Sequence, residues 1–349
     1  MITTIRTLSQ QLTKPMFTTP RELVSWMGAI QAQDYNMSKW AVGVRLASAT
    51  IIDVENALAK GEILRTHVMR PTWHLVTAED IRWMLELCRE KIKALCAPRD
   101  RQLGIDEKLF YSANNLIAKM LEGNNHLTRQ EIAAELTKAG ITVDTARMIH
   151  FMYRAEAEGI VCSGIDKEKK QTYALIDEWV KPTKKLQKDE SLALLASKYF
   201  KSHSPASVQD FAWWSGLSMS DSKLAINLIN FDLDKERFGD TILNIHKSCK
   251  TTTKLSDYAC LLPAFDEYLI SYKDRDAVID AKHQSKAFTK NGIFRPIVMY
   301  NGKIIGTWSK QVKKEELNIE ISTFEDHITL NKEIIKNTKN NYLLFIHFQ

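Results

Sequence analysis

Thr128-Arg129-Gln130-Glu131-Ile132-Ala133-Ala134-Glu135-Leu136-Thr137-Lys138-Ala139-Gly140 is the stretch that decides the fold of this chain. Thr128 with Glu131 three residues later forms a capping box, in which each side chain takes the other's orphan backbone N–H at a helix start. Ile132 and Leu136 fall on one face of the short helix this opens, and Ala139-Gly140 ends it. Upstream lie a helix near Lys108 to Leu121 and the loop Glu122 to Leu127. Downstream, Asp144 caps a second helix with Met148, Phe151, Met152 and Ala155 on one side. Gly159-Ile160-Val161-Cys162 and Thr172-Tyr173-Ala174-Leu175 then read as two strands around the charged loop Asp166 to Lys170. Helix, helix-turn-helix and two-stranded hairpin, in that order, is the winged-helix plan.

The same order recurs on either side. In the first copy, Thr19-Pro20-Arg21-Glu22 opens a helix, Met37, Trp40, Ala41 and Val44 mark a second, and Val54, Ala57 and Leu58 a third. Leu64 to Met69 and Thr72 to Val76 are strand runs around Arg70-Pro71, and the proline predicts a turn unlike the tight Asn-Gly kind. Thr77-Ala78-Glu79-Asp80 caps a long linking helix expected to end before Pro98. The third copy begins with Leu192, Leu195 and Tyr199, continues in a helix after Ser204-Pro205 that Gly216 ends, and then one with Leu224, Ile226 and Leu228. Beyond Phe231 the chain turns strand-rich. Asn301-Gly302 predicts a type I′ hairpin between Ile297–Tyr300 and Lys303–Trp308, and Leu317, Ile319 and Ile321 alternate as a further strand. A polar helix near Phe324 to Lys339 and a last strand, Tyr342 to His347, close the sequence. The expected class is α+β: three tandem winged-helix motifs at residues 1–100, 101–185 and 186–258, and a strand-rich region at 259–349.

Length and composition are those of an ordinary globular protein of two or three domains: 349 residues, 44% apolar and 26% charged. A formal charge of +6, from 48 basic and 42 acidic residues, permits a polyanionic partner without demanding one. Five scattered cysteines without a CxxC pair suggest reduced thiols, and no apolar run reaches membrane-span length or forms a signal peptide. The expectation is therefore a cytoplasmic protein. His67, His74, His126 and His150 lack metal-ligand spacing, and no phosphate loop or GxSxG motif is present, so no metal or cofactor is expected.

Three winged helices make double-stranded DNA the leading partner, with a protein-interaction scaffold as the alternative. Arg65, His67, Arg70 and His74, interleaved with Trp73 on the first hairpin, suit a phosphate backbone and an unstacked base. Strand alternation would equally send half of them into the core. Lys273, Arg275 and Arg295 form a second basic group, whereas Lys310, Lys313 and Lys314 read as a solvated face. Asp266 and Glu267, read on a strand, face opposite ways, so at most one of them joins a site.

One further motif stands after the helix from Pro20: Gln31-Ala32-Gln33. Continued as helix, the two amides point about 200° apart; in an extended segment they share a side. They act as a pair only if the helix breaks near Ile30, and otherwise are surface amides. Together with Leu64-Arg65-Thr66-His67, Arg70-Pro71-Thr72-Trp73-His74-Leu75-Val76 and Leu262-Pro263-Ala264-Phe265-Asp266-Glu267-Tyr268, this motif resembles the AlkZ/YcaQ-type bacterial DNA glycosylases, over about residues 5 to 310. The resemblance implies a tandem winged-helix monomer without cofactor. It implies catalysis by the Gln-x-Gln element, here Gln31 and Gln33, on N-alkylated purines and alkyl interstrand cross-links. Asp34 reads as a surface residue or cap, and Lys39 as a poor candidate for a Schiff base. A non-catalytic winged-helix regulator is the alternative reading.

Overall fold

The structure, a computed structural model, describes residues 1–249, 255–313, 316–326 and 330–346. The chain divides into two compact units, Met1–Glu55 with Leu192–Gln349, and Asn56–Ser191. Both mix helices with antiparallel sheets.

In the unit Asn56–Ser191, the strands Ile63–Val68 and Thr72–Thr77 pair from Val68↔Thr72 to Ile63↔Thr77. Met69 at φ 63° starts the three-residue connection through Arg70 and Pro71, a turn shaped by the proline as the sequence requires. Helices Glu107–Leu121, Arg129–Lys138 and Thr145–Ala157 follow, then a three-stranded sheet of Leu127–Thr128, Thr172–Leu175 and Val161–Ser163. The Thr128–Glu131 capping box is present in both directions. Ile132 and Leu136 pack with Phe110, Ile117, Phe151 and Val161 in one apolar core, which supplies the main driving force for the unit.

The linking helix does not stop before Pro98. It runs Ile81–Gln102 with the proline inside it. A missing N–H and ring clash are unfavourable there by about 3 kcal/mol, but side chains of helix Thr145–Ala157 hold the last turn. His150 Nδ1 lies 2.5 Å from Asp100 Oδ1, and Arg147 donates to the Leu103 carbonyl at 2.7 Å. Tertiary contacts override the local signal.

In the other unit, helices Ile2–Ser9, Pro20–Met27 and Tyr35–Gly43 are followed, after the excursion, by Val208–Ser215, Met219–Leu228 and the hairpin Leu233–Phe238/Thr241–His246. Helix Ile51–Ala59 leads out of this unit and helix Lys188–His203 leads back. A four-stranded antiparallel sheet then orders Glu316–Thr323, Lys303–Lys313, Ile297–Tyr300 and Ala259–Leu262. Asn301 and Gly302, at φ 48° and 78°, make the left-handed pair that a type I′ turn needs. The expected final strand is instead a helix, Lys332–Phe345, capped by Asn331. Thr338, Tyr342 and Phe345 are its buried stripe, and Tyr342 meets the rings of Trp40 and Trp308 edge-on. A short apolar run does not by itself distinguish strand from helix. His347 lies outside the described residues, as do Lys314 and the side chain of Lys313; Lys310 is exposed and donates to Tyr342 Oη at 2.8 Å.

At the centre of this unit Arg45, fully buried, grips Asp266 through both its terminal nitrogens at 2.7 and 2.8 Å. It also donates to the Ala41 carbonyl and to Gln10 Oε1. Burial favours loss of the Arg45 proton, yet the Asp266 charge and hydrogen bonds outweigh that and raise its pKa above the ordinary value. Removing one member of such a pair strands the other charge. Arg45→Met is accordingly expected to lower unfolding free energy by about 3–5 kcal/mol in urea titrations, with Arg45→Met/Asp266→Leu recovering part of the loss.

Candidate functional site

The Gln31-Ala32-Gln33 segment sits between two capped helices. Thr19 accepts from the Glu22 N–H and Pro20 takes the first helical position, so the first helix starts where the sequence puts it. It ends at Met27, because Gly28 turns the chain at φ 77°. Lys198 Nζ caps the open end by donating to the Ser25 carbonyl at 2.8 Å. A Cβ at position 28 would approach Lys198 Cβ to 3.2 Å and the Trp214 ring to 3.6 Å, in a backbone region unfavourable to any side chain. Ile30–Gln31 is extended, and Asp34 then caps helix Tyr35–Gly43 by accepting from Met37 N–H at 3.0 Å. The helix break that a paired-amide site needs is present. Gln31 is buried, at 5% exposure, and Gln33 is exposed.

Behind Gln31 lies a residue the sequence did not single out for this site. Glu267, itself 1% exposed, accepts the Gln31 main-chain N–H on Oε1 at 2.6 Å. Its Oε2 accepts from the Trp214 indole at 3.1 Å and from the Ser271 hydroxyl. The strand reading of Asp266-Glu267 is corrected here: Asp266 caps a short helix, Glu267–Ile270, and both carboxylates are buried. The sequence signal available was the N-cap aspartate; the partner of Glu267 is 236 residues away and leaves no local trace.

His203 completes the surroundings of Glu267. Its Nε2 is 3.5 Å from Glu267 Oε2, Nδ1 is 2.7 Å from Ser202 Oγ, and the ring stacks on Tyr199 at 4.8 Å. Burial holds its pKa below the usual histidine value, opposed by Glu267 and reinforced by the Arg45 charge.

The basic residues fall into two sets. On the first hairpin, Arg65 is buried, bonds Gln171 Oε1 at 2.5 Å and lies 3.9 Å from the Trp73 ring centre. His67 is buried between Trp73 and Tyr153, with centroids 3.6 and 4.1 Å away, and Nδ1 is 2.8 Å from Glu156 Oε2. His74 is also buried, its Nδ1 at 2.8 Å from the Thr72 carbonyl, whereas Arg70 and Trp73 are partly exposed. In the other unit, Lys273 is exposed and sits over Trp213, which Arg275 also approaches. Asp210 fixes this segment by accepting the main-chain N–H groups of Lys273 and Asp274, at 2.8 and 3.2 Å. Arg275 donates to the Leu269 carbonyl, and Arg295 is exposed.

Other chemistries find little footing. Lys39 is 8% exposed and ion-paired to Glu55 at 2.6 Å. Burial pushes the thiols of Cys88 and Cys260 up to about 11 and 12, away from thiolate reactivity. Among the described residues, no group of three His, Cys, Asp or Glu is placed to hold a metal ion, and no helix is long and apolar enough to cross a membrane.

The class of this protein follows from its similarity to known proteins. The profile of the AlkZ-like DNA glycosylases matches residues 24–336, and the chain belongs to that family. It is 23% identical over 310 residues to the interstrand DNA cross-link repair glycosylase of Streptomyces sahachiroi, covering 82% of this chain and 81% of that one. The solved structure of Streptomyces sahachiroi DNA glycosylase AlkZ superposes with a TM-score of 0.81 at 19% identity, over 98% of this chain and 95% of the other.

Because the unfolded chain binds a proton at His203 more readily than the folded one, stability is expected to be fully present above the usual histidine value near 6.5 and to fall as pH drops below it. His126 and His246, also lowered by burial, act in the same direction. Urea midpoints should therefore be lower at pH 5.5 than at pH 7.5, with a shallower dependence in His203→Gln.

Proposed function

We propose that this glycosylase hydrolyses the N-glycosidic bond of N7-alkylated purines in double-stranded DNA and unhooks alkyl interstrand cross-links, with Gln31 and Gln33 as its catalytic residues. The observation that carries the reading is the break at Gly28, which takes Gln31 out of the helix and leaves its main-chain N–H to Glu267. Gln31 ends the extended pair Ile30–Gln31 and exposed Gln33 follows in a bend, so the two amides are not held in the opposed directions of a continuous helix, which favours their joint action. The name of the Streptomyces sahachiroi relative supports the cross-link substrate.

The chemistry suits neutral groups. A purine alkylated at N7 carries positive charge and leaves without a strong general acid. One glutamine carbonyl accepts a hydrogen bond from the attacking water, and the other directs its negative end at the oxocarbenium-like sugar. Water oxygen bonds to the sugar carbon, the glycosidic electron pair passes to the base and cancels its charge, and the water proton goes to solvent. A lysine nucleophile is not required, consistent with the ion pair that engages Lys39.

The repeats at 1–100, 101–185 and 186–258 are read as winged helices, with 259–349 as the strand-rich region, in a cytoplasmic monomer. Arg70 and Trp73, together with Lys273, Arg275 and Arg295, supply DNA contacts. Arg65, His67 and His74, being buried, serve the contacts of Arg70 and Trp73 by shaping the hairpin that carries them.

Wild-type protein is expected to release base from N7-methylguanine duplexes. Gln31→Ala and Gln33→Ala should each lose about 10²–10³ in single-turnover rate while retaining salt-dependent duplex binding. Full activity in both variants, or no release by wild type bound to that duplex, rejects the reading.

A further inference from the structure

We propose that Glu267 is a positioning residue for the glycosylase reaction, holding the main chain of Gln31 so that its amide meets the reacting atoms. The proposal rests on Gln31 being catalytic.

A strand N–H ordinarily bonds a carbonyl. Here Gln31 donates to a carboxylate, at 2.6 Å, from a segment of only two strand residues. Charge-assisted hydrogen bonds are shorter and stiffer than neutral ones. Burying a carboxylate is costly unless each oxygen is satisfied, and the unit satisfies both: Oε1 by Gln31, Oε2 by Trp214 and Ser271, with His203 Nε2 at 3.5 Å. Gln31 and Trp214 lie outside the helix Glu267–Ile270, whose N-cap is Asp266 and whose C-cap is Ser271.

Two further features point at the same place. Trp214, which holds Oε2, also packs at Gly28, where the first helix breaks. The break and the anchor thus share one indole. Before the carboxylates, Phe265 adopts φ 60°, a left-handed conformation that strains a bulky residue. Asp266, clamped by Arg45, keeps the chain in that bend and so fixes where Glu267 begins.

Loss of this anchor should reduce turnover without reducing DNA affinity. A displacement of about 1 Å at a catalytic group costs about 10²-fold in rate. In Glu267→Gln the carbonyl can still accept from Gln31, but the new NH₂ opposes the Trp214 N–H. In Glu267→Asp the carboxylate is withdrawn by one methylene. The experiment measures single-turnover release from N7-methylguanine duplex, and duplex Kd, for wild type, E267Q, E267D, Q31A and E267Q/Q31A. Expected is a loss of about 10²-fold in E267Q, a loss in E267D, unchanged Kd, and no further loss when E267Q is added to Q31A. Full activity of E267Q and E267D beside a slow Q31A overturns the positioning role, as does an E267Q loss of equal size in both backgrounds. Full activity of Q31A instead removes the catalytic-amide reading itself. If E267Q and E267D do not fold, Trp214→Phe, which removes one donor from Oε2, provides the same comparison: a loss present with Gln31 and absent without it supports the role, and an equal loss in both overturns it.

Discussion

Two neighbouring carboxylates, Asp266 and Glu267, are buried, and the unit built from Met1–Glu55 and Leu192–Gln349 is arranged around supplying both with donors. Asp266 takes both terminal nitrogens of Arg45; Glu267 takes donors from two distant segments, at Gln31 and Trp214, and from Ser271 one helical turn on. A pair of buried negative charges tolerates few alternative packings, because any slip leaves a charge without its donor. That constraint ties residues near the start of the chain to a helix cap more than 200 positions later.

The consequence is a short, rigid irregularity in an otherwise regular unit. The helix from Pro20 is stopped by a glycine at positive φ and capped by Lys198, and Asp34 opens the next helix after a gap in which the Gln-x-Gln motif lies. Glutamine carbonyls are weak bases, so in the proposed reaction positive charge on the leaving base does the work that a general acid does elsewhere. The other reactive groups are turned to structure: Lys39 is paired with Glu55, and the buried thiols are held protonated.

Much of this was legible in the sequence where local rules suffice. The Thr128–Glu131 box, the Asp34 and Asp144 caps, the Asn301-Gly302 turn and the Arg70-Pro71 bend depend on residues within a few positions of each other, and each is formed. Misreadings arose where distant partners decide. Pro98 stays helical because His150 and Arg147 hold the turn beyond it. Tyr342 and Phe345 belong to a helix because Trp40 meets the rings of both. Alternation would have sent half of the first hairpin's basic residues inward, yet Arg65, His67 and His74 are all buried, and nothing near His67 in the sequence reveals Glu156 as its partner. Gln31 was readable as a candidate; Glu267 behind it was not, since a strand reading hid the cap at Asp266.

In the proposed reaction neutral amides act on a base that already carries positive charge. The most direct test of this is single-turnover base release by the wild-type protein from two duplexes identical except for one nucleotide, N7-methylguanine in one and uracil in the other. Release of N7-methylguanine with uracil left at background is the predicted result. Release of uracil, a neutral base that needs help to leave, at a comparable rate would contradict it.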